Sequence, residues 1–508
     1  MTEIKRQNPT VAPKEHFPEA SESGGWQVIY NRDSDIFDNF AEPVTRQTLY
    51  DFIDPVIAGV DAYLIDPGAK VQNYFTKAGE TYGKDEALWN KVEDANKNFP
   101  ERISRSQYHK QKRMHLRSLL KLGNPVSLII DRCHEKGIKA GVSRRMNDCH
   151  ASKTGWSHLY SNFFIDNPQY WLYPKYADFD FSVKEVRKNT LSLLKEYCDI
   201  FDIDILELDF LRHAMYFKPD VSRRKRFRLM NELLEEIREY SLAAGKKRKR
   251  NIALQVRVPS TVKGCENVGL DVKTWIKNKW VDALAPSSAF SIEFNIPVKD
   301  WKKLTAQSPI KVYPGTDFLI RPEGFPAREP MIEMWRGAFA GYYHAGSDGI
   351  HLYNTFCGKQ GKDMELKVLE TAKNPKLTAG KSKYYLLTLT SQIEWTKDAA
   401  MPMRIPVRIP AGKNSPALKI DFPIADDLRK YPPHKMIFRI QIRGLGKLSG
   451  EKIYVAVNGV KFSGDGKTLP GYRDWMEDAK DNPYTDPWLE FESLPGHWRN
   501  NNQVKIKL

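Results

Sequence analysis

The sequence predicts an α/β protein, a (β/α)8 TIM barrel of parallel strands followed by a C-terminal antiparallel β-sandwich domain. Short apolar runs rich in β-branched residues recur eight times in the first 356 residues. Most of these runs are followed by a segment with helical spacing, and this alternation ends near residue 375. Because eight strands close such a barrel, we assign residues 1–375 to the barrel and residues 376–508 to the sandwich.

Each predicted barrel strand is a short run bounded by polar or turn-forming residues. In chain order the runs are Trp26–Asn31, Val60–Asp66, Ile138–Arg144, Ile203–Phe210, Asn251–Val258, Val281–Ala285, Ile310–Tyr313 and Gly349–Asn354. The segments between them repeat apolar residues three and four positions apart. They predict helices over Thr45–Ile57, Pro125–Lys136, Val183–Phe201, Arg223–Ala244, Val272–Lys279 and Pro330–His344.

Beyond residue 376 the pattern changes to strand-like runs separated by Pro, Gly, Asn and Asp. These runs are YYLLTLT, MRIPVRIP, MIFRIQIRGLG, KIYVAVNGVKF and QVKIKL. Such runs are typical of an antiparallel β-sandwich. The Asn-Gly pair between two apolar runs predicts a hairpin at VNG.

Composition limits the partners and the location. The net charge of +16 favours anionic partners. No run approaches the roughly 18–20 apolar residues that span a bilayer, so no membrane insertion is predicted. The opening MTEIKRQNPTVAPKEHF lacks the apolar centre of a signal peptide. If this start is a trimmed mature one, the predicted location is outside the cell or in the periplasm. Otherwise it is the cytoplasm. Five cysteines without a CxxC pair predict neither a disulfide framework nor a zinc ribbon.

The fourth predicted strand carries the main catalytic candidates. Side chains alternate along a strand, and Leu206, Leu208 and Phe210 must meet the helices, so Glu207 and Asp209 point into the lumen. Buried carboxylates are costly unless paired or functional, and both are therefore predicted to be catalytic. The alternative for either acid is a structural ion pair with one of three inward arginines, Arg144, Arg145 and Arg257.

Polar residues after other strands converge on the same rim, because active sites of these barrels lie at the carboxyl ends of the strands. A second carboxylate beside Asp209 would provide the pair that cleaves glycosidic bonds. The candidates for that partner are Asp148, Asp317 and Glu293, and they remain unranked. The predicted substrate-binding residues are Arg145, Asn147, His150, Trp156, Trp171, Arg212, His213, Arg257, Tyr313 and His351.

Two features of the loops on this rim favour an anionic carbohydrate. The loop over residues 147–180 contains nine Trp, Tyr and Phe residues that could stack on sugar rings or pack the loop onto the barrel. Two basic stretches belong to the same face, Tyr108–Arg117 in the loop after the second strand and Arg223–Arg228 at a helix start. A third, Lys246–Arg250, is predicted to be a solvated loop on the opposite face. The alternative for all three is a solvated surface.

The segment ILELDFLRH resembles the fourth strand of TIM-barrel glycoside hydrolases, as in the α-galactosidase-like clan, with Asp209 in the place of the catalytic aspartate. The resemblance implies a glycosidase without a cofactor, acting on a polysaccharide or oligosaccharide. It extends to glycoside-hydrolase-like proteins of polysaccharide-degrading bacteria. In the α-galactosidase-like clan the acid/base follows the sixth strand, where ALAPSSAF departs from the pattern and offers no carboxylate before Glu293.

Other functions agree less well with the sequence. A non-catalytic glycan-binding barrel would not need Glu207 and Asp209. An enzyme of phosphorylated metabolites would use the Gly-containing segment Cys357–Asp363 as its anion site. A metal site from Asp148, His150 and His213 lacks characteristic ligand spacing, so no metal is predicted. No nucleic-acid-binding motif is present, so no nucleic acid is expected as a partner, and no oligomeric state is predicted.

Overall fold

The computed structural model describes residues 28–34, 44–87, 89–90, 100–149, 158–173, 178–289, 291–320, 329–355, 361–373, 378–387, 407–410, 414–442, 453–462, 466–469 and 488–507. Within these ranges the fold class predicted from the sequence is confirmed. A closed parallel barrel precedes two antiparallel sheets. Residues 374–377 lie outside the described residues, so the division at residue 375 stays a prediction.

Eight parallel strands form the barrel. They are β1 (Val28–Arg32), β2 (Ala62–Ile65), β3 (Lys139–Arg145), β4 (Ile205–Asp209), β5 (Ala253–Pro259), β6 (Ala283–Ser287), β7 (Lys311–Val312 with Gly315–Thr316) and β8 (Ile350–Tyr353). Each strand pairs with the next, and β8 pairs with β1, so the sheet closes on itself. All eight strands were predicted, with ends that differ by a few residues.

Helices lie between the strands of the barrel. The described ones are α1 (Arg46–Ile57), α2 (Pro100–Leu122), α3 (Pro125–Glu135), α4 (Asn162–Ile165), α5 (Lys184–Ile200), α6 (Arg223–Arg248), α7 (Val262–Val268), α8 (Val272–Lys277), α9 (Val298–Thr305), α10 (Ile332–His344) and α11 (Gly361–Lys373). Asn124 caps α3 ahead of Pro125, and Ser222 caps α6. None of the described helices is long and apolar enough to cross a membrane.

The apolar residues separate into two layers, as the alternation in β4 predicts. Leu206, Leu208 and Phe210 belong to the large core between the barrel and its helices. Ile205 belongs to a small apolar cluster inside the barrel, together with Tyr313. This cluster closes the floor of the lumen, so the polar residues further along each strand lie above it, toward the carboxyl ends.

Two basic stretches are helical where loops were expected. Tyr108–Arg117 lies within α2, and Arg113 and Arg117 both pair with Glu86. In the run Lys246–Arg250, α6 continues to Arg248, which donates to the carbonyl groups of Cys198 and Phe201. Long arginine side chains satisfy exposed helix-end carbonyls in this way, a tertiary contact that local composition does not reveal. The predicted helix start at Arg223–Arg228 is confirmed.

The C-terminal residues form two antiparallel sheets around one apolar core. Their strands are β9 (Leu418–Pro423), β10 (Met436–Gln441), β11 (Tyr454–Val457), β12 (Val460–Lys461), β13 (Lys467–Leu469), β14 (Trp488–Ser493) and β15 (Asn501–Lys507). One sheet has the order β9-β15-β11-β12 and the other β10-β14-β13. Buried residues from both sheets, such as Val455 and Phe491, share one cluster. This arrangement is a β-sandwich.

The predicted runs of this domain have mixed outcomes. The hairpin at VNG is confirmed: Asn458 and Gly459 join β11 to β12 with φ values of 50° and 85°. In YYLLTLT the described residues 384–387 are not in a strand, so that prediction is wrong there, and the same holds for residues 407–410 of MRIPVRIP. The remaining residues of both runs lie outside the described residues.

Candidate active site at the barrel mouth

Glu207, at the centre of β4, is buried in the lumen among hydrogen-bond donors. Its Oε1 accepts hydrogen bonds from Asn31 Nδ2 at 2.6 Å and Ser143 Oγ at 2.7 Å. Its Oε2 accepts one from Gln255 Nε2 and lies 2.8 Å from His351 Nε2. Burial opposes the charge, but His351 and the hydrogen bonds outweigh burial and lower the pKa of Glu207 to about 2. The carboxylate thus joins β4 to β1, β3, β5 and β8.

Asp209, the last residue of β4, is fully buried and held from two sides. Nη1 of Arg257, on β5, donates to its two oxygens at 3.0 and 3.1 Å. Oδ1 also accepts the backbone N–H groups of Leu211 and Arg212, at 2.9 and 3.1 Å. Arg257 lies over the ring of Tyr353, 3.6 Å from its centroid. The ion pair that the sequence allowed for either acid is therefore formed by Asp209.

Arg145, the last residue of β3, lies among three carboxylates. Its guanidinium is 2.6 Å from Asp33 Oδ2, 3.3 Å from Asp66 Oδ2 and 3.4 Å from Asp148 Oδ2. Burial raises the pKa of Asp66 to about 6, although Arg145 opposes that shift. Arg145 Nε also donates to Tyr353 Oη at 3.3 Å. Tyr353 therefore connects this cluster to the ion pair between β4 and β5.

Asp178 is a further buried acid, which sequence reasoning did not select. It is fully buried in the long loop after β3, and neither carboxyl oxygen has a hydrogen-bond partner among the described residues. Burial raises its pKa to about 7, and the charge of Lys70 only partly offsets that effect. A carboxyl with such a pKa is largely protonated at slightly acidic pH and can donate its proton. One acid in a long loop carries no periodic signal, which explains why the sequence did not reveal it.

Lys70, after β2, is buried in the same region as Asp178. Its Nζ donates to the backbone carbonyl of Asp148 and lies 3.9 Å from Asp148 Oδ1. The ammonium also lies over the rings of Tyr160 and Phe164, 5.6 and 5.3 Å from their centroids. Burial lowers the pKa of Lys70, while the charge of Asp148 opposes that effect. These contacts place a cation between the ends of β2 and β3.

Asn147 holds the Asp178 loop to the barrel. Its Oδ1 accepts the backbone N–H of Phe179 at 3.0 Å, and its Nδ2 donates to the Phe179 carbonyl at 3.0 Å. The same Nδ2 donates to the carbonyl of Met215, in the loop after β4, at 2.6 Å. Asn147 therefore joins the loop that carries Asp178 to the loop that begins at Asp209. Asn147 thus connects the loops that follow β3 and β4.

Trp171 lines an open cleft beside the mouth, with a volume of about 470 Å³. One face of its indole ring stacks on Phe164, with ring centroids 4.9 Å apart and planes within 11°. Its Nε1 donates to the Phe164 carbonyl at 2.8 Å, which fixes the ring. The cleft is also lined by Tyr173 and by Lys218. A fixed aromatic ring in a cleft is a platform of the kind that sugar rings stack on.

The structure places the three predicted partners of Asp209 differently. Asp148 lies beside Arg145, as described above, and Asp317, buried after β7, adds its charge near Arg257. Glu293 Oε1 accepts from the backbone of Asn295 at 2.8 Å, and its carbonyl accepts from Tyr342 of α10. Glu293 therefore contacts the outer helix layer, whereas Asp148 and Asp317 lie beside the arginines of the mouth.

Other predicted residues lie at different depths. Tyr313 belongs to the apolar floor, and His351 contacts Glu207 just above it. His213 is buried, with Nδ1 3.4 Å from the backbone nitrogen of Cys149. Arg212 is half-buried beside Asp209. His150 and Trp156 lie outside the described residues.

Two alternative kinds of site find little support among the described residues. No cluster of three His, Cys, Asp or Glu side chains could hold a metal ion there. In the segment Cys357–Asp363, residues 357–360 are outside the described residues, and Gly361 begins α11. Cys133, Cys149, Cys198 and Cys265 are buried free thiols in the described chain.

No known family model matches the sequence, and no curated protein does. Among solved structures, the chain is similar to α-L-fucosidase isoenzyme 2 from Paenibacillus thiaminolyticus, at 10% identity and a TM-score of 0.42, covering 68% of this chain and 48% of that one. A multi-modular chitinase from a Paenibacillus species is similar at 10% identity and a TM-score of 0.40, covering 69% of this chain and 33% of that one. The galactosidase domain of an α-galactosidase–sucrose kinase is similar at 11% identity and a TM-score of 0.38, covering 93% of this chain and 54% of that one. The chain spans about half of the first structure and a third of the second.

Proposed function

We propose that this chain is a glycoside hydrolase in which Asp209 acts as nucleophile or base and Asp178 as the proton donor. The observation that carries the proposal is the presence of two differently held carboxyl groups, one at the end of β4 and one in the loop after β3, with Asn147 joining the loops that follow these strands. Asp209 is fixed by Arg257 and two backbone N–H groups, whereas no neighbouring side chain donates a hydrogen bond to Asp178 among the described residues. Burial raises the pKa of Asp178 to about 7, although its own backbone N–H and the charge of Lys70 oppose that shift. Glycosidases need this division, one ionised carboxylate and one protonated carboxyl.

The chemistry requires one proton transfer and one attack. Asp178 would give its proton to the glycosidic oxygen as the bond between that oxygen and the sugar carbon breaks. Asp209 would either attack the same carbon or take a proton from the water that attacks it. Asp66, with a pKa near 6, is less suited to the donor role because Gly68 N and Arg145 already contact its oxygens.

Other predicted residues then acquire positioning roles. Glu207 and His351 would set the spacing of the strands below the reaction. Asn147 would hold the Asp178 loop against the Asp209 loop, and Tyr353 would fix the orientation of both arginines. Trp171 would support a sugar ring in the neighbouring cleft, which it lines. We assign positioning roles to Glu207, Asn147 and Tyr353 because their polar atoms already contact other residues of the chain and few remain to bind a substrate.

An anionic polysaccharide or oligosaccharide is the substrate class we propose. Lys218, whose side chain is 44% exposed, lines the cleft with Trp171 and Asp220, and its Nζ lies 3.8 Å from Asp180 Oδ2. Arg212 is half-buried at the mouth beside Asp209. Positive groups at the entrance of a cleft attract negatively charged substrates, an effect that salt weakens. Sulfate or uronate groups on the sugar would provide that charge.

The test compares the wild type with Asp209→Asn, Asp178→Asn and the exposed control Asp131→Asn on sulfated, uronate-bearing and neutral polysaccharides. We expect each site variant to lose about 10²–10⁴-fold in released reducing ends, of the order of a lost catalytic group. The control should match the wild type. An aryl glycoside whose leaving group needs no protonation should restore Asp178→Asn but not Asp209→Asn.

The pH profile adds an independent readout. A proton donor must be protonated, so wild-type activity should fall as the pH rises through about 7, the pKa of Asp178. The residual activity of Asp178→Asn should lack this fall. Full activity in Asp178→Asn would contradict its assignment, and full activity in Asp209→Asn would contradict the proposed nucleophile or base.

A non-catalytic glycan-binding barrel is the second candidate. The observation that favours it is the full burial of Asp209 in its ion pair with Arg257, an arrangement that also serves stability. Binding of a glycan by the wild type without release of any reducing ends, over the whole panel, would favour this candidate over the hydrolase.

A further inference from the structure

The outer face of one sandwich sheet carries a row of lysines. In the sheet β9-β15-β11-β12, Lys419 lies directly opposite Lys505, Lys505 opposite Ala456, and Ala456 opposite Lys461. Lys419 and Lys461 are exposed and Lys505 is half-buried. Alternate residues of these strands, such as Val455, face the shared core, so the three lysines lie on the opposite, outward side.

This row lacks the charge pairing expected of a stable sheet surface. Like charges directly opposite each other on neighbouring strands destabilise a sheet. None of the three lysines forms an ion pair within the described part of the chain; Lys461 Nζ lies 5.6 Å from the centroid of the Tyr454 ring. The acid nearest to the row on β9, Asp421, lies opposite Gln503 rather than a lysine.

The other sheet of the same sandwich provides an internal comparison. There Lys467 lies opposite Glu490, and Glu490 lies opposite Arg439, whose Nε is 2.9 Å from Glu490 Oε2. Opposite charges therefore alternate across three strands of that sheet. Because both sheets belong to one domain, general basicity of the chain does not explain why only one of them aligns three lysines.

We infer that the row Lys419–Lys505–Lys461 is a binding surface for an anionic polysaccharide, separate from the barrel mouth. Lys419 and Lys505 lie on neighbouring strands, which are about 4.8 Å apart, and Lys461 lies two strands beyond Lys505, with the buried Ala456 between them. Positive charge is thus present on three of the four strands of the sheet. A linear chain with repeated sulfate or carboxylate groups matches a row of this kind. The inference rests on the proposed function, because it names the polymer that the barrel would cleave.

The shape of the surface favours a polysaccharide over a nucleic acid. Recognition of duplex DNA uses a helix or ribbon that enters a groove, and this row is the face of a sheet. Recognition of single strands combines basic charge with exposed aromatic rings for base stacking. In the described part of this face the aromatic side chain next to the row is Tyr454, which is half-buried, with Lys461 over its ring.

The test uses the full chain and native electrophoresis through gels that contain polygalacturonate, dextran sulfate or uncharged dextran. We expect the wild type to be retarded by a polyanion and not by dextran. The variant Lys419→Gln/Lys461→Gln/Lys505→Gln should bind about tenfold more weakly, because exposed charge contacts each contribute modestly. The matched control Lys430→Gln/Lys435→Gln/Lys467→Gln removes the same charge from exposed positions outside the row and should bind within about twofold of the wild type.

Each outcome separates the two proposals. Equal weakening of both triple variants would overturn the inference, because net charge alone would then explain retardation. Tighter binding of single-stranded DNA than of either polyanion, lost in the first triple, would overturn it in favour of a nucleic-acid surface. Asp209→Asn should be retarded like the wild type. Loss of retardation in the lysine triple, with no hydrolysis by the wild type, would support the binding surface and contradict the proposed hydrolase alone.

Discussion

Two buried carboxyl groups of this barrel have opposite properties because their neighbours differ. Glu207 contacts four donor groups and keeps its charge, so its pKa falls to about 2. No neighbouring side chain donates a hydrogen bond to Asp178 among the described residues, and burial raises its pKa to about 7 although its own backbone N–H and Lys70 oppose the shift. Burial alone therefore does not identify a catalytic acid. The donors around each carboxyl decide whether it is ionised or protonated at slightly acidic pH.

The raised pKa of Asp178 predicts a pH-dependent loss of stability. The folded state holds this proton up to about pH 7, whereas the unfolded chain releases it near the ordinary value of 3.8. The unfolding free energy should therefore fall as the pH rises from about 4 to about 7 and change little above. Asp178→Asn removes this dependence and should gain roughly 2–4 kcal/mol over the wild type between pH 4 and pH 8.

Urea unfolding at pH 4, 6 and 8 measures this difference, with the exposed Asp131→Asn as the control. The control and the wild type should change in parallel. If Asp178→Asn also runs parallel to the wild type, the pKa of Asp178 is not raised in the folded protein.

At the scale of elements, close backbone approaches decide which positions must be glycine. β7 is divided around Pro314, which lacks the N–H needed for a continuous ladder. The sequence predicted one uninterrupted run, Ile310–Tyr313. At Gly315, after the break, a Cβ would lie 1.9 Å from Ser287 Oγ of β6. The need for glycine at position 315 comes from the packing of β7 against β6, which the sequence alone does not reveal.

Two glycines of α10 provide a matched pair for a test. A Cβ at Gly337 would lie 1.8 Å from the carbonyl oxygen of Tyr384, whereas a Cβ at Gly341 would meet no atom within 4 Å. Gly341→Ala should stabilise the protein by about 0.5–1 kcal/mol through helix propensity. Gly337→Ala should destabilise it by roughly 1–3 kcal/mol, because the segment at Tyr384 must move.

Thermal and urea unfolding of the two alanine variants measure this contrast. Equal stabilisation by both would show that the segment around Tyr384 does not pack closely against α10 in solution.

At the scale of the whole molecule, residues 378–387 connect the barrel to the sandwich through contacts on both sides. The backbone N–H of Tyr384 donates to the Glu333 carbonyl at 3.0 Å, on the barrel side. On the sandwich side, Lys383 Nζ and Tyr385 Oη each lie 2.8 Å from an oxygen of Asp426. Residues 378–387 thus contact both parts, and these contacts should couple the unfolding of the two parts.

Asp426→Ala should weaken that coupling, because it removes the shared acceptor of Lys383 and Tyr385. We expect calorimetry to resolve two unfolding transitions in the variant where the wild type shows one. The exposed Asp421→Ala is the control and should keep the wild-type profile. A single, unshifted transition in Asp426→Ala would mean that these contacts do not couple the two parts.

The sequence by itself determined the architecture. Apolar periodicity identified eight strands, six helices and the inward orientation of Glu207 and Asp209, because side-chain direction follows local geometry. It was wrong about the helical basic stretches and about the described parts of two C-terminal runs, where tertiary contacts outweigh local composition. Strands β9, β13 and β14 also lay outside the predicted runs.

Only the tertiary structure decided which acid has which partners. Arg257 and Asp209 are 48 positions apart in sequence, and Asn147 reaches Met215 across 68 positions, so no local pattern could reveal these contacts. The burial of Asp178 and the alignment of lysines on three strands of one sheet are likewise properties of packing and register. Burial and charge pairing depend on residues distant in the chain, and for that physical reason the structure had to supply them.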